Sequence, residues 1–241
     1  MLCLTRPELM RDIHAEYLRA GSDIIETNTF NATPVSMAEY GLDSGSTVKD
    51  INIAAAKLAK EACAIVTKEN PAKPRFVAGA IGPTSRTLSV SPSVEDPSYR
   101  NITWDDLVEG YVAQIEALVE GGVDILMIET IFDTQNAKAA IYAVDEYFER
   151  TGKDRLPLMI SGTITDASGR TLSGQTIEAF LISISHARPM TIGVNCALGA
   201  MQMKPFYEKL CEHHQGWVHV YPNAGLPNAM GGYDENPEQF A

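Results

Sequence analysis

Basic residues are scarce in this chain, and so are cysteines, histidines and long apolar runs. Its 19 lysines and arginines stand against 31 acidic residues, a formal net charge of −12. No basic run and no interleaving of basic with aromatic residues occurs, which argues against nucleic acid or an anionic membrane surface as a partner. The longest apolar runs are far too short to span a bilayer. Met1 to Gly21 carries charges throughout and has no apolar signal core, so a cytoplasmic location is expected. The cysteines (Cys3, Cys63, Cys196, Cys211) are too widely separated to suggest a disulfide framework, which fits a reducing compartment. No Gly-x-Gly-x-x-Gly turn follows a strand-like run, so dinucleotide binding loses support. No histidine ends such a run, so no Ser-His-Asp arrangement presents itself. His213 and His214 are adjacent on a helix and cannot face each other, which favours a solvated helix end over a metal pair.

What is present is an ordinary globular composition. Apolar residues make up 45% and charged residues 21% of 241 residues, enough to bury the core of one large α/β domain or two small ones. Thr5, Pro7 and Glu8 open a helix that runs to about Ala20 and stops at Gly21. Strand-like runs follow at Asp23–Phe30, Arg75–Thr84, Val123–Thr130, Pro157–Asp166, Thr191–Gly199 and Trp217–Gly225. Helical segments separate them. The first, from about Thr47 to Lys68, carries Ile51, Ala55, Leu58, Ala62 and Ile65 on one stripe. Then come Trp104 to Glu120, capped by Thr103, a segment after Asp133 to about Arg150, Thr176 to His186, and Met201 to His213. A Ser- and Pro-rich loop occupies Ser89 to Asn101, another loop occupies Ala167 to Gly174, and the tail from Leu226 to Ala241 starts a further helix near Pro237.

Strands alternating with helices imply βαβ units and a parallel sheet, either an open doubly wound sheet or a (β/α)8 barrel. The strand ends favour the barrel, because catalytic residues there come from the ends of several strands. Together these ends supply Glu26, Asn28 and Thr29; Gly82, Pro83 and Thr84; Glu129, Thr130 and Asp133; Ser161, Thr163 and Asp166; Asn195 and Cys196; and Asn223. Such a polar cup suits an amino acid, with carboxylates for the ammonium and backbone N–H groups for the carboxylate. Plainer readings stand beside it: Cys196 as a small buried hydrophobe and Glu129 as half of an ion pair. Cys63, Cys211 and His219 are expected to be packing residues.

Six stretches carry a family resemblance. They are Glu26–Asn31, Gly82–Thr84, Ile128–Asp133, Ile160–Gly174, Gly193–Gly199 and Pro222–Asn228. Together they resemble the N-terminal homocysteine-binding barrel of cobalamin-dependent methionine synthases, over essentially the whole chain and in order. The resemblance implies a TIM-type (β/α)8 barrel, incomplete here, with strands 2–7 present and strands 1 and 8 missing, so residues 1–241 are one domain truncated at both ends. It implies a methyltransferase that passes a methyl group from methylcobalamin, recharged by 5-methyltetrahydrofolate, to the thiolate of homocysteine. The partners implied are homocysteine and the folate and cobalamin domains of a parent polypeptide.

The family binds zinc with three thiolates, of which Cys196 would be one; the adjacent Cys-Cys pair that supplies the others has no counterpart in this chain. Asn223 is the candidate for the open zinc position. Glu129 would hold the substrate ammonium, with Asn28, Thr84, Gly162, Thr163 and Asn195 completing the substrate site. With one ligand of three, this chain alone is expected to bind zinc poorly and to be inactive. Two alternatives stay open: a stand-alone homocysteine S-methyltransferase with a betaine or sulfonium donor, and a non-catalytic truncated binding module.

Overall fold

The computed structural model describes residues 1–165, 168–225, 228–233 and 235–240. Asp166 and Ala167, where the fourth expected strand ends and the second loop begins, lie outside the described residues, as do parts of the tail after Gly225. Six strands form one sheet: β1 (Ile24–Glu26), β2 (Phe76–Ile81), β3 (Ile125–Ile131), β4 (Leu158–Gly162), β5 (Thr191–Gly199) and β6 (Trp217–Asn223). Their order in the sheet is their order in the chain. β1 pairs with β2, β4 with β5 and β5 with β6, all in parallel. A doubly wound sheet would reverse its order at a switch point. Sequential parallel strands joined by helices are instead the topology of a TIM-type barrel, here six strands of eight.

The chain divides into two compact units, one of Met1–Arg86, Asn101–Met127 and Ala139–Pro157, the other of Thr87–Arg100, Ile128–Lys138 and Leu158–Ala241. In the first, helices α1 (Leu2–Thr5), α2 (Pro7–Ala20), α3 (Pro34–Met37), α4 (Gly45–Glu69) and α5 (Trp104–Gly121) accompany β1 and β2. The four-residue helices α1 and α3 are too short for an apolar period to announce them. Thr5 closes α1 instead of capping α2: its hydroxyl donates to the Met1 carbonyl, and Arg6 is the N-cap. On α4 the expected stripe holds at Ile51, Ala55, Leu58 and Ala62, but Ile65 is 40% exposed and Val66 is buried in its place. A period of 3.6 residues drifts off any fixed spacing of three and four over a helix this long. α5 begins on a capping box, in which Thr103 Oγ1 accepts from the Asp106 amide at 3.2 Å and the Asp106 carboxylate accepts from the Thr103 amide at 3.2 Å. It ends at Gly122, whose φ of 91° is left-handed. Two buried amides of this unit are tied to backbone carbonyls: Gln114 Nε2 donates to that of Thr29 at 2.8 Å, and Asn52 Nδ2 to those of Ala32 and Val48, whereas Gln114 Oε1, His14 Nε2 and Arg75 Nε are buried without a hydrogen-bond partner among the described residues.

In the second unit, α7 (Ile177–Ile184) and α8 (Ala200–His213) pack against each other, and α8 covers β5 and β6. Buried Phe180, Ile160, Ile192, Val194, Met203 and Leu210 are core residues of this unit. Residues 87–100 are an organised loop. Arg100 donates to the carbonyls of Leu88, Ser89, Pro97 and Tyr99, and Asp133 accepts from both the amide and the hydroxyl of Ser89. Asp133 also accepts from the Gln135 amide at 2.8 Å, at the start of α6 (Thr134–Thr151), which runs on into the first unit. The tail ends in α9 (Pro237–Phe240). Cys63 is buried, as expected of a packing residue, and burial pushes its thiol up to about 11. Cys211 is not a packing residue: it lies on an exposed face of α8. No helix among the described residues is long and apolar enough to cross a membrane.

The Thr103 capping box sits on the surface, so replacing it isolates the cap. Thr103→Ala is expected to lower stability by about 1 kcal/mol in urea denaturation. An unchanged midpoint would show that the box contributes nothing to α5.

Candidate active site

Parallel βα units bring the carboxyl ends of all strands to one edge of the sheet, the edge where such folds do chemistry. In the second unit the ends of β3, β4, β5 and β6 meet there in one hydrogen-bonded network. Its centre is Asn195, which is fully buried on β5. Asn195 Oδ1 accepts from the Thr130 backbone amide at 3.1 Å and from Ser161 Oγ at 2.7 Å. Asn195 Nδ2 donates to Thr130 Oγ1 at 2.7 Å and to Cys196 Sγ at 3.0 Å. The Asn195 carbonyl accepts from Thr163 Oγ1 at 3.1 Å. A carboxamide offers two acceptor sites and two donor protons, and all four are used. Its orientation is settled by the Thr130 backbone N–H, which can only donate.

The backbone is strained where this network touches it. Among the described residues, four that are not glycine have positive φ, and three of these are Thr130 (57°), Cys196 (61°) and Ala197 (59°). The left-handed region costs such residues on the order of 1–2 kcal/mol each, and strain of this kind clusters at functional sites. Its effect is visible in the β5–β6 register, which is irregular between Asn195 and Gly199. Regular pairing up to Asn195 breaks at Cys196, so the thiol stands at a bend of the strand end. It lies 3.7 Å from Thr130 Oγ1 and is partly exposed.

Glu129 is the second feature. The residue is 6% exposed, yet among the described residues no lysine, arginine or histidine pairs with its carboxyl. Tyr221 OH donates to Oε2 at 3.3 Å and Thr130 Oγ1 donates to the same oxygen at 3.4 Å. Burial raises its pKa, and these two hydrogen bonds oppose the shift without cancelling it. A desolvated carboxylate with hydroxyl partners and no cation is an incomplete ion pair, suited to a cationic ligand.

The other expected site residues fall as follows. Thr163 is buried beside Asn195, and its amide donates to the Ile131 carbonyl at 2.8 Å. Gly162 faces Phe180: a Cβ there would come within 3.0 Å of the ring. Asn223 is exposed at the end of β6, in register with Gly199. Asn28 and Thr84 belong to the first unit. Asn28 is exposed and accepts from the Cys3 thiol at 3.0 Å, while the buried Thr84 hydroxyl donates to the Arg86 carbonyl at 2.6 Å. Asp133 is engaged by the loop and by the start of α6. Tyr221 was not foreseen; it shares a face of β6 with His219 and Asn223, and the period of two along a strand was the available signal. Among the described residues no group of three or more His, Cys, Asp or Glu side chains is arranged to hold a metal ion. The soft donor at the site is the single thiol of Cys196.

Two substitutions test these statements. Asn195→Ala would leave the Thr130 amide without its acceptor and is expected to cost on the order of 3 kcal/mol in denaturant unfolding. For Glu129, a folded pKa above the unfolded one means that the native state binds the proton more tightly. Its contribution to stability is therefore full below the unfolded carboxyl pKa and is lost as pH rises through the raised folded value. Glu129→Gln is expected to melt higher than the parent at neutral pH, with the gap closing on acidification below about 4.3. A gap independent of pH would show that Glu129 is not desolvated in solution.

The chain is similar to the homocysteine methyltransferase MmuM from Escherichia coli in its metallated form, at 25% identity and a TM-score of 0.75, covering 93% of this chain and 75% of that one. Against the oxidized form of the same enzyme the identity is 25% and the TM-score 0.74, over 92% and 73% of the two chains. The apo form, at 22% identity and a TM-score of 0.73 over 92% and 74%, supports the fold. The homocysteine S-methyltransferase family model matches residues 1–241. With six consecutive parallel strands and a match along its whole length, this chain belongs to the homocysteine S-methyltransferase family.

Proposed function

We propose that residues 1–241 are the homocysteine-binding barrel of a methionine synthase, one domain that presents the homocysteine thiolate to a methyl group carried by methylcobalamin. The observation that carries this reading is the convergence of an unpaired buried carboxyl, Glu129, and a thiol, Cys196, on one network at the strand ends, in a chain of this family. The long motif from Ser161 to Gly174 supports the methionine synthase assignment over other members.

In the reaction the sulfur of homocysteine loses its proton and attacks the methyl carbon. The new S–CH3 bond forms as the bond from methyl to donor breaks, and the bonding pair leaves with the donor. Glu129 receives the substrate ammonium, which supplies the missing cation and draws the carboxyl to its ionised form. Asn195 braces the sulfur of Cys196 and the end of β3, and Thr163 holds the Asn195 carbonyl. Gly162 leaves the room that Phe180 fills. Asn223, at the end of β6, is the candidate for the open metal position. Zinc, bound through thiolates, would lower the pKa of the substrate thiol. Cys196 supplies one such thiolate; the other two must come from outside these residues, and no step is assigned to the metal. The folate and cobalamin carriers are likewise parts of the parent polypeptide. A second reading is a stand-alone homocysteine methyltransferase, which the similarity to MmuM supports, and its donor would be a sulfonium compound or betaine.

The test is methionine formation from homocysteine with methylcobalamin, a methylsulfonium compound or betaine as donor. In the full-length parent protein methylcobalamin is expected to support turnover, whereas residues 1–241 alone are expected to give none. In the parent protein Cys196→Ser should lower turnover about 100-fold, and Glu129→Gln should raise KM for homocysteine about tenfold. Turnover of the parent protein with only the sulfonium or betaine donor would establish the second reading, and none with any donor would make this barrel a binding module.

A further inference from the structure

The structure assigns Tyr221 as the positioning residue of the ammonium site: its hydroxyl, carried on a ring stacked against that of His219, orients the Glu129 carboxylate toward the amino group of the substrate. The inference rests on the reading of Glu129 given above and adds the group that sets its direction.

The argument begins from the two oxygens of Glu129. Among the described residues, only Oε2 receives hydrogen bonds, from Tyr221 OH at 3.3 Å and Thr130 Oγ1 at 3.4 Å. With Oε2 tied down on two sides, Oε1 is the oxygen turned to a ligand. Ser161 gives its proton to Asn195 Oδ1 at 2.7 Å, so its oxygen, 2.9 Å from Tyr221 OH, can only accept, and the single Tyr221 proton is shared between Ser161 Oγ and Glu129 Oε2.

The Tyr221 ring is fixed as well. His219 stacks on it with centroids 5.8 Å apart and an interplanar angle of 9°. His219 and Tyr221 are two residues apart on β6 and project from one face. The imidazole is anchored by Nδ1 to Thr191 Oγ1 at 2.7 Å. It lies over Gly193, where a Cβ would come within 2.5 Å of the ring carbon Cδ2, so only glycine leaves room for it. Burial pulls the His219 pKa down to about 4, which keeps the ring neutral near pH 7. An uncharged support adds no cation to compete with the ammonium for Glu129. The registers Gly193↔His219 and Asn195↔Tyr221, with Ser161↔Gly193 on the other side, build this support from three adjacent strands.

Calorimetric binding of homocysteine and of its des-amino analogue, 4-mercaptobutanoate, to the parent chain, Tyr221→Phe and Glu129→Gln tests the assignment. Tyr221→Phe keeps the ring and removes the hydroxyl. It is expected to weaken homocysteine about tenfold and to leave the analogue, which has no ammonium, within about twofold of the parent. If Glu129→Gln weakens homocysteine and Tyr221→Phe does not, the positioning role is overturned while the reading of Glu129 stands. Equal weakening of both ligands by Tyr221→Phe would make Tyr221 a packing residue and overturn it too. Homocysteine binding unchanged in Glu129→Gln, or absent from the parent chain, would sink the ammonium site itself and the inference with it.

Discussion

A single carboxamide joins three strands at the centre of the second unit. Asn195 lies on β5, accepts from the backbone of β3 and from a serine of β4, and donates to a threonine of β3 and to the thiol that follows it in the chain. Inside a protein an unsatisfied amide is costly and a fully satisfied one is rigid. The network therefore does two things. It holds the strand ends at their mutual spacing, and it keeps Thr130 and Cys196 in backbone conformations that neither would adopt alone. A hydrophobic contact in the same place would hold the strands together without directing a sulfur.

Around that fixed point the site has an asymmetry of charge. The oxygen-rich strand ends contain a carboxyl that burial makes reluctant to ionise and that hydroxyl groups only partly support. The neighbouring thiol is reached by an amide proton. On the proposed reading, the ammonium of an amino-acid thiol would supply the cation that Glu129 lacks. Specificity of this kind comes from leaving protein groups incomplete until the right ligand arrives.

Much of the architecture was legible because it depends on short-range rules. The alternation of apolar strands with amphipathic helices announced parallel βα units, and the polar residue ending each strand favoured a barrel over a doubly wound sheet. Thr103 with Asp106 marked the start of α5. The misses have equally local causes. Ile65 lies where a fixed spacing falls out of phase with the helix, and Cys211 is on an outer face that a burial preference for cysteine does not foresee. The strand ends were expected too long, since the polar residues after Glu26 and Ile81 belong to loops that bond to each other and to β2 through side chains and single amides, as where Gly82 N donates to the Phe30 carbonyl and Thr29 Oγ1 to that of Ala80.

By itself the sequence determined the order of the elements, the identity of the strand-end side chains and the family resemblance, because these depend on residue type and spacing along the chain. It also marked Glu129 and Cys196, whose chemistry stands out at the mouth of a strand. Tertiary structure alone decided which of those side chains meet. Asp133, chemically the equal of Glu129, is engaged by Ser89 and by the start of α6, whereas Glu129 has only hydroxyl partners among the described residues. Tyr221 joined the site because the β5–β6 register sets it against Asn195 and puts its hydroxyl within reach of both Ser161 and Glu129. Register and strand bending are properties of pairs of strands, and no single stretch of chain encodes them.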